Sequence, residues 1–368
     1  MASRVPFVDL EAEHALLRAP IDEAIADVLR SSQFILGPEV ERFERETAEF
    51  LGAVHAIGVS SASDALVMCL TALGVGREDE VLTTPFTFFA SAEAILRTGA
   101  RPRFVDIHPD SLCLDPELAA SEISSLTRAI LPVHLFGSMV GIEPLALLGE
   151  RLGVPLIEDA AQAFGSKRAG RSAGLWGAAG CLSFFPTKVL GALGDGGLIV
   201  TSDPGVASRC RGLRQHGREQ DSYVHIGGNF RLDALQAAVL RVKLQGITER
   251  IERRRAHGRA YDEAFRGLPG LALVTRDADW NGGVYTLRVL DGRRDLVRDR
   301  LTLAGVQTAV YYRRPIHLEP ALSHLGLRPG ALPESERAAE QVLSLPVFPA
   351  MTVHQRSYVI DAVIAATR

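Results

Sequence analysis

The sequence predicts an α/β protein built on a mostly parallel sheet, with a smaller α+β domain after it. Two observations carry this reading. Over the first two thirds of the chain, short apolar runs alternate with amphipathic stretches, as βαβ units require when a sheet is covered on both faces. Beyond Leu232 the alternation gives way to one long helical pattern and then to a mixed segment. A chain of 368 residues is also too long for one small core, and two domains sharing a cleft suit that length.

Seven strands are predicted, at 56–60, 81–84, 103–107, 129–134, 155–159, 181–185 and 198–201. Each is a short apolar run, the pattern of a strand buried on both faces. Amphipathic stretches at 64–73, 90–97, 116–123 and 143–152 supply crossover helices. Residues 232–260 read as a single helix leaving the first domain, with the basic run 253–255 on a solvated face. The domain boundary is drawn inside that helix, giving 1–245 and 246–368. In the second domain a strand is expected at 284–290, and helices near 295–304 and 334–343.

Composition narrows the class. Apolar residues make up 47% and charged residues 23%, which excludes disordered and fibrous chains. Forty Lys and Arg against 44 Asp and Glu leave a net charge of −4, which argues against a nucleic-acid partner. Asp9, Glu11 and Glu13 interrupt the N-terminal segment, so no secretory signal is expected. No apolar stretch reaches the roughly 18 residues of a membrane span, so no membrane partner is expected. Cys69, Cys113, Cys181 and Cys210 form no CxxC pair and read as buried free thiols of a cytoplasmic protein. The ten histidines show no metal-ligand spacing, and no metal is expected.

Parallel sheets bind ligands beyond the carboxyl ends of their strands, so the chemistry is sought there. In LIEDAAQAFG a strand ends at Asp159, and Gln162 follows one helical turn on if a helix starts there. A carboxylate at that mouth holds a proton on a heteroaromatic nitrogen; the plain alternative is a helix cap. In CLSFFPTKVLGALGDGG a strand delivers Ser183, then Lys188 between a stiff proline and a glycine run. Desolvation makes such an amine nucleophilic, against the alternative of a solvated loop lysine. In AIGVSSASDAL small residues open a helix, where exposed N–H groups and the macrodipole favour a phosphate; a serine N-cap is the alternative. In PFTFFASAEAI, Phe88 or Phe89 offers a plate for a planar ring, against a place in the core. GALGDGG is not GxGxxG and no GxxxxGK[ST] occurs, so a nicotinamide dehydrogenase and a P-loop enzyme lack their fingerprints. Together, a strand-end acid, a loop lysine, an anion site and an aromatic plate are what pyridoxal 5'-phosphate requires.

These motifs, with ILGPEVERFE, RPRFVDI, VHLFG, LRQHG, GGNFRLDALQAAVL, YYRRPIHLEPA and SLPVFP, run in order over nearly the whole chain. In them the sequence resembles the DegT/DnrJ/StrS aminotransferases, which act on nucleotide-linked keto sugars. The resemblance implies the fold type I (aspartate-aminotransferase-like) architecture, with a seven-stranded sheet and a small C-terminal domain. It implies Lys188 as the aldimine lysine and proton carrier and Asp159 as partner of the pyridine nitrogen. It implies Gln162 at the cofactor ring oxygen or phosphate, Phe88 stacked on the ring, and Ser183 at the phosphate. Ala62 and Ser63 stand where the family usually has Gly-Thr; the backbone donor and the hydroxyl are kept. Asn229 corresponds to a residue reaching the phosphate of the neighbouring subunit, which implies a homodimer with shared active sites. Val189 replaces a residue that is often Asn.

The implied reaction moves an amino group from L-glutamate, through the pyridoxamine form of the cofactor, to a keto sugar of a nucleoside diphosphate. The string PTKxLGAxGDGG is more similar to members acting on 3-keto sugars than to 4-keto enzymes. UDP-linked and dTDP-linked substrates both remain open. Phe34, Arg231, Tyr312 and His317 are the candidate sugar contacts, each with a structural alternative: a carboxylate partner for Arg231, a core position for Tyr312. A dehydratase of the same class would carry histidine at Lys188. A catalytically silent cofactor-binding sensor or scaffold is the reading from another class.

Overall fold

The computed structural model describes residues 4–368. Its main sheet has seven strands: β1 His55–Val59, β2 Glu80–Thr83, β3 Arg101–Phe104, β4 Thr127–Leu131, β5 Ile157–Asp159, β6 Ala179–Ser183 and β7 Gly197–Thr201. Two hydrogen-bonded groups, β3-β2-β4 and β1-β7-β6-β5, are joined by parallel bridges Ile130–Leu156 and Val133–Asp159. The full order is therefore β3-β2-β4-β5-β6-β7-β1, with β7 antiparallel to both its neighbours and the rest parallel. The strands lie where the sequence pattern expects them to within two residues at their starts, β3, β4 and β6 beginning two residues earlier and β5 two later.

Thirteen helices accompany the strands: α1 Leu10–Ala15, α2 Arg18–Ser31, α3 Pro38–Leu51, α4 Ala62–Ala72, α5 Ala90–Arg97, α6 Pro116–Glu122, α7 Ile142–Leu152, α8 Pro204–Leu213, α9 Ala234–Leu244, α10 Ile247–Phe265, α11 Arg294–Leu303, α12 Pro333–Gln341 and α13 Val353–Thr367. Alternate strand residues feed two separate cores. Ile57, Ala129, Leu131, Ala179, Cys181 and Ile199 pack against α4, α5 and α8. Ala56, Ile130, Leu182, Leu198 and Val200 pack against α3, α7 and α9. The result is an αβα sandwich with all four cysteines buried as free thiols.

A second, antiparallel sheet follows: β8 Leu271–Leu273, β9 Tyr285–Val289 and β10 Val342–Leu345, in that spatial order. Its core gathers Tyr261 and Phe265 of α10, Val297 and Leu301 of α11, Val359 and Val363 of α13, and Val5 from the N-terminal segment. Val5 reaches it by a parallel bridge to Val306.

Three expectations need correction. The stretch 232–260 is two helices, because Gly246 takes φ +72° and ends the run between α9 and α10. That left-handed conformation is free only for glycine. The run 253–255 is solvated only in part: Arg253 is exposed, but Arg254 is buried and donates to the Val347 carbonyl at 2.8 Å and to Glu13 at 3.3 Å. No helix starts at Asp159; residues 160–165 form successive turns.

Candidate active site

β5 and β6 are adjacent and parallel, with Asp159 opposite Cys181 in register. Both strands end at the same edge, so Asp159 and Ser183 open into one region, and Lys188 follows Ser183 by a short loop. Asp159 is 6% exposed. Its carboxylate accepts from Ser91 Oγ at 2.7 Å and from the Ala161 N–H at 3.2 Å; Ser91 in turn meets Thr87 Oγ1 at 3.0 Å. The short Asx turn to Ala161 replaces the helix cap considered from sequence. Burial pushes the Asp159 carboxyl above its usual range, while the Ser91 and Ala161 bonds and the Lys188 and His134 charges pull it back. Lys188 is half-buried, its N–H closing a turn on the Phe185 carbonyl at 2.9 Å. Burial holds its amine below the ordinary lysine range, opposed by Asp159. Among the described residues neither Asp159 nor Lys188 belongs to an ion pair.

Gln162 spans two segments. Its Oε1 accepts from the Phe136 N–H at 2.8 Å and its Nε2 donates to Tyr312 Oη at 3.1 Å. The Tyr312 ring lies 6.4 Å from that of Phe88, tilted by 36°, and 6.3 Å edge-on from Phe86. Phe88 is 59% exposed, so it is not the core aromatic the plain alternative offers. Burial raises the Tyr312 phenol well above its ordinary range, so it is neutral and able to donate.

At the end of β1, Ser61 caps α4 by accepting from the Asp64 N–H at 3.1 Å, as the plain alternative has it. Ser60 and Ser61 donate to the Asp64 carboxylate at 2.7 and 3.0 Å, and Arg97 approaches it at 3.3 Å. The N–H groups of Ala62 and Ser63, the first two helical residues, meet no protein acceptor among the described residues. The close approach depends on Gly197, the β7 residue paired with Ser183. A Cβ there would lie 2.4 Å from the Ser61 carbonyl carbon and 2.7 Å from the Ala62 nitrogen.

A second group lies beside β1. Arg231 bridges Val59, the Phe230 carbonyl accepts from the Ser60 N–H at 2.9 Å, and Ile35 bridges Asp233. Phe34, Asn229 and Arg231 thus share the edge next to the α4 N-terminus, with Asn229 and Phe34 exposed. Arg231 donates to Asn229 Oδ1 at 2.8 Å, not to the carboxylate considered as its partner. His317 stands apart. It is buried, with Nε2 3.2 Å from Glu336 and Nδ1 without a partner.

Sequence reasoning missed Ser91, although it lies three residues after Phe88 in the same motif. It also missed the buried pair behind Asp159. There Glu158 takes His134 Nε2 at 2.7 Å and the N–H groups of Gly174 and Gly177 at 2.7 and 2.9 Å.

This donor and acceptor set fits pyridoxal 5'-phosphate. A buried carboxylate without an ion-pair partner suits a protonated pyridine. A half-buried amine with lowered basicity suits an aldehyde, and free N–H groups at a helix start suit a phosphate.

The comparisons with known proteins agree with this chemistry. The model of the DegT/DnrJ/EryC1/StrS aminotransferase family matches residues 16–364. The chain is 43% identical to the dTDP-3-amino-3,4,6-trideoxy-alpha-D-glucose transaminase of Streptomyces venezuelae, over 98% of this chain and 95% of that one. It is also 43% identical to a pleiotropic regulatory protein of Geobacillus stearothermophilus, over 98% of this chain and 97% of that one. Among solved structures, S. venezuelae DesV in complex with a ketimine intermediate superposes with a TM-score of 0.96 at 43% identity, over 99% of both chains.

Proposed function

The chain belongs to the DegT/DnrJ/EryC1/StrS aminotransferase family, a pyridoxal 5'-phosphate-dependent family, and from that premise we propose that it transfers an amino group from L-glutamate to a 3-keto sugar carried on a nucleoside diphosphate. The carrying observation is the pair Asp159 and Lys188: a buried acid at one strand end and a depressed amine in the loop after the neighbouring strand, neither ion-paired within the described chain. The 3-keto assignment is supported by the PTKxLGAxGDGG string and by the name of the S. venezuelae relative.

When bound, pyridoxal 5'-phosphate supplies the electron sink that lets a proton leave the amino donor's α-carbon. Asp159 keeps a proton on the ring nitrogen. The Ala62 and Ser63 N–H groups and the Ser183 hydroxyl hold the phosphate. Phe88 would offer its face to the ring, and Gln162, anchored to Phe136 and Tyr312, would hold its polar edge. Lys188 Nζ would hold the cofactor through its aldehyde and, when freed by the amino donor, would be the base that takes the proton from the donor's α-carbon and returns one in the acceptor half. Desolvation suits Lys188 to this, since a general base works best with a pKa near the operating pH.

Asn229 reaches the phosphate of a second copy, so the working unit is a homodimer with shared sites. Phe34, Arg231 and Tyr312 contact the sugar, and His317, tied to Glu336, positions the segment that carries Tyr312. The two domains divide at the joint between residues 245 and 246, where Gly246 breaks the helix.

The test is a panel of 3-keto and 4-keto nucleotide sugars incubated with cofactor and L-glutamate and read by mass spectrometry. Amination of a 3-keto member is expected, together with a glutamate-dependent loss of the cofactor's visible band. Lys188→Ala should lose the band and turnover alike. Turnover retained in Lys188→Ala overturns the role of the lysine, and amination confined to 4-keto members overturns the position. Cofactor binding with no spectral response to glutamate leaves the sensor reading.

A further inference from the structure

A cavity of about 290 Å³ lies between the α1–α2 junction, the 186–191 loop that carries Lys188, and the α9–α10 joint. Lys188 is on its wall, but Asp159, Gln162, Phe88, Ser183 and Tyr312 are not. Its charge is unbalanced. Lys243 is 8% exposed, and its ammonium donates to the Gly191 carbonyl at 2.7 Å and faces His14 Nε2 at 2.9 Å. Arg250 donates to the Gln245 carbonyl at 3.1 Å, while its Nη2 is buried with no partner. Neither cation is ion-paired among the described residues. The two acids on the wall are engaged by other arginines: Glu249 with Arg253 at 2.7 Å, Glu13 with Arg254 at 3.3 Å.

Two cations side by side at low exposure repel each other and lose hydration. Lys243 accordingly falls to about 8, chiefly by burial and also by the Arg250 charge, against the pull of Glu13. Burial lowers Arg250 as well, and His14 is lowered by burial and by Lys243. The start of α10 opens at the same place: its N-cap is Gly246, which has no side chain to satisfy the first N–H groups. A guanidinium with one unpartnered arm, a buried ammonium and an uncapped helix start meet at this cavity, and no acidic group there is left free to balance the two cations.

We propose that this cavity binds a small oxyanion, a phosphate or a short carboxylate, held by Arg250, Lys243 and the first turn of α10. The volume is at the lower edge of small-molecule sites, which excludes a nucleotide sugar. Because Lys243 also grips the Gly191 carbonyl, an anion here braces the loop that presents Lys188. The inference stands independently of the transaminase reading, since it needs only the cavity and its charges.

The experiment is thermal unfolding of the cofactor-loaded protein, whose phosphate cup is already filled, at constant ionic strength in inorganic phosphate, succinate or sodium chloride. At about tenfold the dissociation constant, the bound anion should raise the midpoint by roughly 2 °C over chloride. Arg250→Gln should abolish that shift while unfolding at the wild-type midpoint in chloride. Lys243→Met should abolish it too, and the arginine variant decides the case if the lysine variant folds poorly. The arm that gives the Arg250-dependent shift identifies the anion as phosphate or carboxylate. Phosphate and succinate midpoints no higher than chloride, or a shift that survives Arg250→Gln, overturn the proposal.

Discussion

Asp159 shows how a single carboxylate is tuned. Burial pushes its carboxyl towards the protonated form; the Ser91 hydroxyl, itself met by Thr87, favours the ionised form. Removing that hydroxyl takes away a hydrogen bond to a charged acceptor, worth about 1.5–3 kcal/mol. Ser91→Ala is therefore expected to weaken cofactor binding about tenfold or more at neutral pH. The sign in pH follows. Protonated Asp159 cannot pair with a protonated ring nitrogen, and the variant's carboxyl titrates higher than the wild type's. The variant should then release cofactor at a higher pH during acidification. Equilibrium dialysis of cofactor from about pH 5 to about pH 8, the range in which folded proteins are usually most stable, checks this; coincident release curves would leave Ser91 without the role. Asp159 and Lys188 were legible in the sequence because each ends an apolar run and precedes turn-forming residues. Ser91 was not, because its contact joins α5 to β5 across a separation of 68 residues. Arg254 was misread for a related reason: its partner carbonyl, Val347, is 93 residues away.

At the scale of elements, the α4 N-terminus can approach β6 only because β7 begins with glycine. Gly197 sits opposite Ser183, and any Cβ would overlap the backbone of Ser61 and Ala62, which has no flexible end to move aside. Gly197→Ala should push the start of α4 away from Ser183 and spread the candidate phosphate donors. Overpacking of this kind costs about 1–3 kcal/mol. The expected outcome is a folded protein with a lowered thermal midpoint and a larger loss of affinity for the cofactor, measured by titration of the apoprotein. Cofactor affinity equal to wild type would show that the helix start does not hold the phosphate. The seven strands were legible because strands covered on both faces are continuous apolar runs, which survive without any knowledge of their neighbours. The order in which they pair was not carried by any one run. Nor was the helix break at Gly246, since a lone glycine in a helical pattern is more often tolerated than obeyed.

Large apolar side chains are exposed on several segments of the molecule, some of them at or next to candidate site residues. Phe34, Ile35, Phe88, Phe185 and Leu193 are all exposed, and so are Tyr223, Val224 and Ile226, with Ile226 at 95%. Exposed apolar side chains suit an interface, and in the proposed homodimer a second copy would cover them and would deliver the exposed Asn229 to a neighbouring α4 N-terminus. Sharing makes an arithmetic prediction. Take Lys188→Ala and Asn229→Ala, each nearly inactive, and refold them together in equal amounts. If Asn229 serves the partner's site, a mixed dimer concentrates both defects in one site and leaves the other intact. Half the dimers are mixed and half of their sites work, so about a quarter of wild-type activity returns. If Asn229 serves the site of its own chain, every site keeps one defect and nothing returns. The half-buried Arg231 bonded to Asn229 Oδ1 gives a matching control. Arg231→Ala frees that amide, so in the shared arrangement its defect should likewise be rescued by Lys188→Ala and not by Asn229→Ala.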